Sequence, residues 1–296
     1  MNKNTLLLLG AAVILGAIAY VLMQQPGEQS ITASEGESLF HIDSANVDKI
    51  KIDSPGSSLI LTKQGVEWRI ENPLSARASQ TAVGSLLLEA GSSRIKAMVS
   101  DKPAKHSIFQ VDSTGIVLTF YKQDVEQASV VIGKQGPGYS DIYVRTGNSN
   151  EVYLIDEALS RSARRSLKDW RDPTIVSIPR ESFKEIRFQY GDTTFAVSWL
   201  DSVWLIGRSV ADEVAVNSLL GSLSNLQADD FIDTPLLKPN SIAAVTFAGI
   251  QLRFFQTKGS ETIVVQSSAS PQLFELQSWR AHQILKRKKD LLKAPS

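Results

Sequence analysis

The chain has 296 residues, 43% hydrophobic and 21% charged, with 18 glycines and 11 prolines, which excludes a collagen-like, a largely disordered or a multi-spanning membrane protein. Thirty-one basic side chains are matched by 31 acidic ones, so no net field attracts nucleic acid and no nucleic-acid partner is expected. The absence of cysteine removes disulfides, thiol nucleophiles and thiolate metal sites, and three histidines are the whole imidazole supply.

Residues 1–4 read as a cytoplasmic end, because Lys3 and the terminal amine precede the first apolar run and the next basic residue is Lys49. Residues 5–23 (TLLLLGAAVILGAIAYVLM) carry no charge. Nineteen helical residues at about 1.5 Å each span about 28 Å, close to a bilayer's hydrocarbon core. A single-pass transmembrane helix is expected, in the inner membrane, with lipid as its partner and the bulk of the chain extracytoplasmic. Ala17-Ile18-Ala19 has the small-x-small form of a cleavage site, so a removed signal segment is the alternative, although Tyr20-Val21-Leu22-Met23 prolongs the apolar run past it. Residues 24–40 are polar, contain Pro26, Gly27 and Gly36, and follow neither helical nor strand period, which reads as a tether.

An internal repeat organises the remainder. Val47-Asp48-Lys49-Ile50-Lys51-Ile52 returns 136 residues later as Phe183-Lys184-Glu185-Ile186-Arg187-Phe188, and Trp68-Arg69-Ile70 returns at the same offset as Trp204-Leu205-Ile206. Further on the offset drifts. Ala82-Val83-Gly84-Ser85-Leu86-Leu87 meets Ala215-Val216-Asn217-Ser218-Leu219-Leu220 at 133, and Val152-Tyr153-Leu154-Ile155 meets Leu273-Phe274-Glu275-Leu276 at 121. The pattern predicts two domains, 41–172 and 173–296, with Pro173 at the boundary.

Within each copy, alternating residues predict two or three strands, then one helix, a meander of about four strands and a terminal helix. The first strands turn at Ser54-Pro55-Gly56 and at Tyr190-Gly191-Asp192. The first helices are expected at 79–90 and 212–226. Their core stripes are Ala82, Val83, Leu86, Leu87 and Ala90 in one, and Val216, Leu219, Leu220 and Leu223 in the other. The terminal helices are expected at 156–170 and 277–292. Antiparallel sheets with segregated helices make the fold class α+β.

The sequence offers little catalytic equipment. His41, His106 and His282 are scattered, H-E-x-x-H and G-x-S-x-G are absent, and neither a metal nor a cofactor is expected. Asp112-Ser113-Thr114-Gly115 has one residue too many for an aspartic-protease loop and reads as the entry to a strand at Ile116. Gly133-Lys134-Gln135-Gly136-Pro137-Gly138 has its lysine in the wrong place for a phosphate-binding loop and reads as a hairpin connection. Asp229, Asp230 and Asp233 lack the spacing of a calcium loop and read as a solvated acidic loop.

Two stretches stand out as candidate contact surfaces. One is the hairpin tip with Tyr139, Asp141 and Tyr143, since loops carry binding function more often than cores. The other is the basic run Lys286, Arg287, Lys288 and Lys289. Cations there either complement a helix C-terminus, as Arg161, Arg164, Arg165, Lys168 and Arg171 do in the first copy, or meet anionic lipid or an acidic partner.

The order of Trp68-Arg69-Ile70-Glu71-Asn72-Pro73, Val99-Ser100-Asp101, Phe109-Gln110-Val111-Asp112, Val131-Ile132-Gly133-Lys134, Val152-Tyr153-Leu154-Ile155 and Ser166-Leu167-Lys168-Asp169-Trp170-Arg171-Asp172 resembles a bacterial domain-of-unknown-function family. Its members are single-pass membrane proteins, often encoded beside gliding-motility-type ABC transporter components. Gln110 and Val111 stand where the family's element has Gly and Leu. The resemblance implies an auxiliary, extracytoplasmic role near a transporter and supplies no catalytic residues. A non-catalytic, membrane-anchored accessory or binding protein is therefore expected, with an ABC transporter permease or another envelope protein as partner. A structural envelope scaffold and an envelope hydrolase are the alternatives.

Overall fold

The computed structural model describes residues 36–40, 42–234, 241–256 and 259–293. The uncharged run 5–23 and the tether up to residue 35 lie outside them. Among the described residues no helix is long and apolar enough to cross a membrane. These residues form an α+β structure, mostly antiparallel sheet with a few helices.

The first sheet is built from β1 (Lys49–Ser54), β2 (Ser57–Gln64), β3 (Glu67–Asn72), β4 (Ala76–Arg77), β5 (Ala97–Ser100), β6 (Ile116–Lys122), β7 (Val125–Gln135), β8 (Asp141–Thr146) and β9 (Val152–Asp156). Its order is β4-β3-β2-β1-β6-β7-β8-β9-β5. Alternation sets which face is buried: Ile50 and Ile52 of β1 are buried while Lys49, Lys51 and Asp53 between them are not. Trp68 and Ile70 follow on β3, both buried. The turn between β1 and β2 needs only Pro55 and Gly56, proline fixing its own φ and glycine supplying φ +83°.

The second sheet uses β11 (Glu185–Tyr190), β12 (Thr194–Leu200), β13 (Val203–Ile206), β14 (Ser209–Val210), β16 (Asp230–Ile232), β17 (Ala243–Phe247), β18 (Ile250–Gln256), β19 (Thr262–Ser267) and β20 (Leu273–Gln277). Its order, β14-β13-β12-β11-β17-β18-β19-β20-β16, matches the first sheet position for position in chain sequence. Trp199 of β12 lies directly across from Trp204 of β13, with ring centroids 5.3 Å apart. A separate two-stranded sheet pairs β10 (Thr174–Ser177) with β15 (Asn225–Gln227).

Both long helices bury the stripes read from their spacing. α1 (Gln80–Ser92) buries Ala82, Val83, Leu86, Leu87 and Ala90. The second long helix is the fifth in chain order; the three between are α2 (His106–Phe109), α3 (Ala158–Ala163) and α4 (Leu167–Trp170). It is α5 (Glu213–Ser224), and it buries Val216, Leu219, Leu220 and Leu223. Asp212 caps α5, its side chain accepting from the Ala215 amide at 3.0 Å. That cap and β15 make α5 shorter than the 212–226 span expected.

The terminal helices differ more from expectation. The stretch 156–170 is two short helices rather than one, because Ser166 and Asp169 form a capping box that starts α4 afresh after Arg164 and Arg165. The stretch 277–292 likewise divides into α6 (Ser278–Ile284) and a 3-10 turn, Lys288–Leu291, whose Asp290 carboxylate accepts from the Arg287 amide at 2.9 Å. Trp170 and Leu291 close these two turns and are buried. The Trp170 carbonyl accepts from the Ser79 amide and the Leu291 carbonyl from the Asp212 amide, each at 2.8 Å. The next residues form matching bridges, Arg171 with Ala78 and Leu292 with Ala211.

By contacts the chain divides into two compact units, one of the residues up to Pro73 with Thr81–Arg165, the other of Leu74–Gln80 and Ser166 onward. The second has a continuous core running from Ile175 to Leu291, in which Phe188 stacks on Phe195 and Phe183 on Phe247.

Candidate functional site

In the first unit, the end of β1, the loop before β6 and the chain after α3 surround an open cleft of about 470 Å³. Ser54 and Ser57 line it from the β1–β2 turn, Gln110, Thr114 and Gly115 from the loop, and Arg164 and Arg165 from the far side. Its floor depends on two glycines. A Cβ at Gly115 would come within 2.6 Å of the Gln110 carbonyl oxygen, and one at Gly133 would meet the Phe109 carbonyl oxygen and come within 2.8 Å of Val111 Cγ1. Bare backbone at both positions lets the 106–112 segment lie against β7. Gln110 adopts φ +58°, the left-handed region that glycine occupies most cheaply.

Arg164 is held in place by its own bonds. Nε donates to Ser160 Oγ at 3.0 Å and Nη2 to the Gly133 carbonyl at 2.8 Å. Arg165 Nη1 donates to the Ala82 carbonyl at 2.9 Å. The carboxylates nearest in sequence to the lining are committed elsewhere. Asp53 pairs with Lys51 at 2.8 Å and accepts from Ser58 Oγ. Asp112 accepts from the Thr114 hydroxyl and amide, which hold its carboxyl below the usual Asp range. Among the described residues the cleft lining carries two guanidinium groups and no carboxylate.

The first sequence-derived surface resolves into three different roles. Tyr139 is 99% exposed at the tip between β7 and β8. Asp141 instead braces the tip: it accepts from the Gly138 amide at 3.1 Å and pairs with Lys96 at 2.9 Å. The Lys96 hydrogen bond holds its carboxyl below the ordinary value, against a smaller opposing effect of desolvation. The Tyr143 ring lies 4.6 Å from that of Phe109, tilted by 45°, and packs on Val111, Val131 and Val152.

The basic run lies in the second unit. Lys286 accepts, through its carbonyl, the Tyr190 hydroxyl at 2.6 Å. The Arg287 guanidinium lies 3.8 Å from the Tyr190 ring centroid. Lys288 and Lys289 are exposed at the start of the 3-10 turn.

The acidic group departs from a solvated loop. Asp230 lies on β16, and all three carboxylates are paired: Asp229 with Arg280 at 2.5 Å, Asp230 with Lys168 at 2.9 Å and Asp233 with Arg171 at 2.8 Å. Burial pushes the Asp230 carboxyl up, but the bonds from Lys168 and the Phe231 amide outweigh it and leave the group below its usual range. His106 contacts the Asn150 carbonyl at 2.9 Å, and no group of three or more metal-binding side chains assembles among the described residues.

The sequence from Trp68 on β3 to Phe247 at the end of β17, residues 68–247, matches the family described as Domain of unknown function (DUF4340), which is more than half of the chain. The chain belongs to this family. The DUF4340 match takes in Gly115, Gly133, Arg164 and Arg165 and runs through both units. Comparison with curated proteins and with solved structures gives no match.

Proposed function

We propose that this DUF4340 chain is a single-pass membrane protein carrying two copies of one α+β domain outside the membrane. There it serves, without catalysis, as an accessory or binding protein of an ABC-type transport complex or another envelope complex. The observation that carries the reading is the correspondence between the two sheets: nine strands in the same order, each closed by the same backbone bonds to the residues entering its long helix. Duplication of one domain explains that correspondence together with the recurring tryptophan. The uncharged run 5–23 supports anchoring. Exposed Tyr139 on a braced tip supports docking of a protein partner, an aromatic side chain offering large contact area at low entropic cost.

The test is crosslinking in cells from a photoreactive residue at position 139, followed by purification in mild detergent. Permease or other envelope subunits are expected in the crosslinked product. Recovery of the chain alone, at every expression level, overturns the reading.

A further inference from the structure

We propose that the cleft of the first unit binds a small ligand through a phosphate group, and that Tyr190 narrows the equivalent place in the second unit to about 250 Å³. The equivalence between units rests on the duplication read above; the lining of the cleft does not.

Ser54 is the last inward position of β1, following buried Ile50 and Ile52. In the second unit the inward series is Ile186, Phe188 and Tyr190, and the offset of 136 that aligns these strands places Tyr190 where Ser54 stands. Tyr190 is buried, its hydroxyl bonded to the Lys286 carbonyl and its ring covered by Arg287. The aromatic side chain thus narrows the space at the end of its sheet and engages the nearby cation. With serine at the corresponding position, the first unit keeps a space of about 470 Å³ with Arg164 in its lining.

The chemistry of that lining selects the ligand. A guanidinium presents N–H groups in a planar fork that matches phosphate oxygens. Arg164 is already positioned by two bonds, which use Nε and one hydrogen of Nη2 and leave the Nη1 edge for a ligand, so little ordering entropy is lost on binding. Ser54 and Ser57 add hydroxyl donors at the opposite wall. The space exceeds one phosphate group and suits a phosphate ester.

The full-length protein in detergent is titrated with inorganic phosphate and with glycerol phosphate at constant ionic strength, and the Gly115 and Gly133 amide resonances are followed. Saturable shifts are expected with both ligands and not with chloride. Ser54→Tyr is expected to weaken binding at least tenfold. Ser57→Glu, which adds a carboxylate at an exposed rim position, is expected to do the same with an unchanged melting temperature. The proposal is overturned if no saturable shift occurs, if both variants bind as the parent does, or if only vesicles containing phosphatidic acid perturb these resonances. Failure to capture a membrane partner through position 139 leaves this titration unaffected, so the two readings fail separately.

Discussion

Arg171 points its guanidinium at Asp233 from a buried position: Nη1 lies 2.8 Å from Oδ1 and 3.0 Å from Oδ2, with 5% of the arginine side chain exposed against 54% of the aspartate. The Phe231 ring lies 4.1 Å beneath the same cation. Removing the aspartate leaves a desolvated charge without its counterion, whereas removing the arginine releases a carboxylate that already reaches water. Asp233→Ala is therefore expected to lower stability by about 1–3 kcal/mol, and Arg171→Met, which preserves much of the packing volume, by less. Urea denaturation of both variants checks the order.

Gly133 is fixed by close backbone approach rather than by its φ. An added methyl group would meet the Phe109 carbonyl, which cannot swing aside as a flexible side chain would. Gly133→Ala is expected to cost on the order of 1–3 kcal/mol, as overpacking does. Gly84→Ala, whose Cβ meets nothing within 4 Å on helix α1, is expected to be neutral or stabilising. Thermal unfolding of the pair tests whether crowding at residue 133 is the cause.

The Lys96–Asp141 pair gives the hairpin tip a pH dependence. The folded carboxyl is held below its ordinary value, so its contribution is present above the unfolded Asp pKa of about 3.9 and is lost as pH falls through the folded value. Protection of the 136–141 amides, measured against their intrinsic exchange rate at each pH, is expected to fall on acidification below about pH 4. Asp141→Asn is expected to flatten that response. An unchanged acid response in the variant would remove Asp141 as its source.

Tyr190 should report alkaline conditions from the second unit. Burial pushes its phenol up to about 12, with Arg287 opposing that rise and Asp290 adding to it. Because the folded value exceeds the unfolded one, its contribution is complete below about pH 10 and is lost as pH rises toward 12. Tyr190→Phe is expected to cost about 1 kcal/mol through the lost bond to the Lys286 carbonyl and to remove that alkaline loss. Ultraviolet titration combined with denaturation measures both.

Local periodicity made much of the fold legible. The stripes of α1 and α5 and the inward residues of β1 and β11 are visible because burial follows the 3.6 and 2 residue periods. Two-residue strands such as β4 and β14 are too short to show a period. The break before α4 arises from the Ser166–Asp169 capping box, and the turn after α6 is started by the Asp290 carboxylate accepting from the Arg287 amide, both within polar, otherwise helix-compatible segments. The acidic group was misread for a different reason: Asp230 and Asp233 find their cations 62 residues away, and no local pattern contains that distance. The cleft had a usable signal, the serine at 54 against tyrosine at 190, which becomes informative once the two nine-stranded sheets are set side by side with attention to which positions point inward.

The facing indoles of Trp199 and Trp204 make the second unit optically distinguishable. Two aromatic chromophores 5.3 Å apart and inclined at 53° couple their excited states, giving an exciton signal in circular dichroism that vanishes when β12 and β13 separate. Melting of that hairpin can thus be followed without any attached dye.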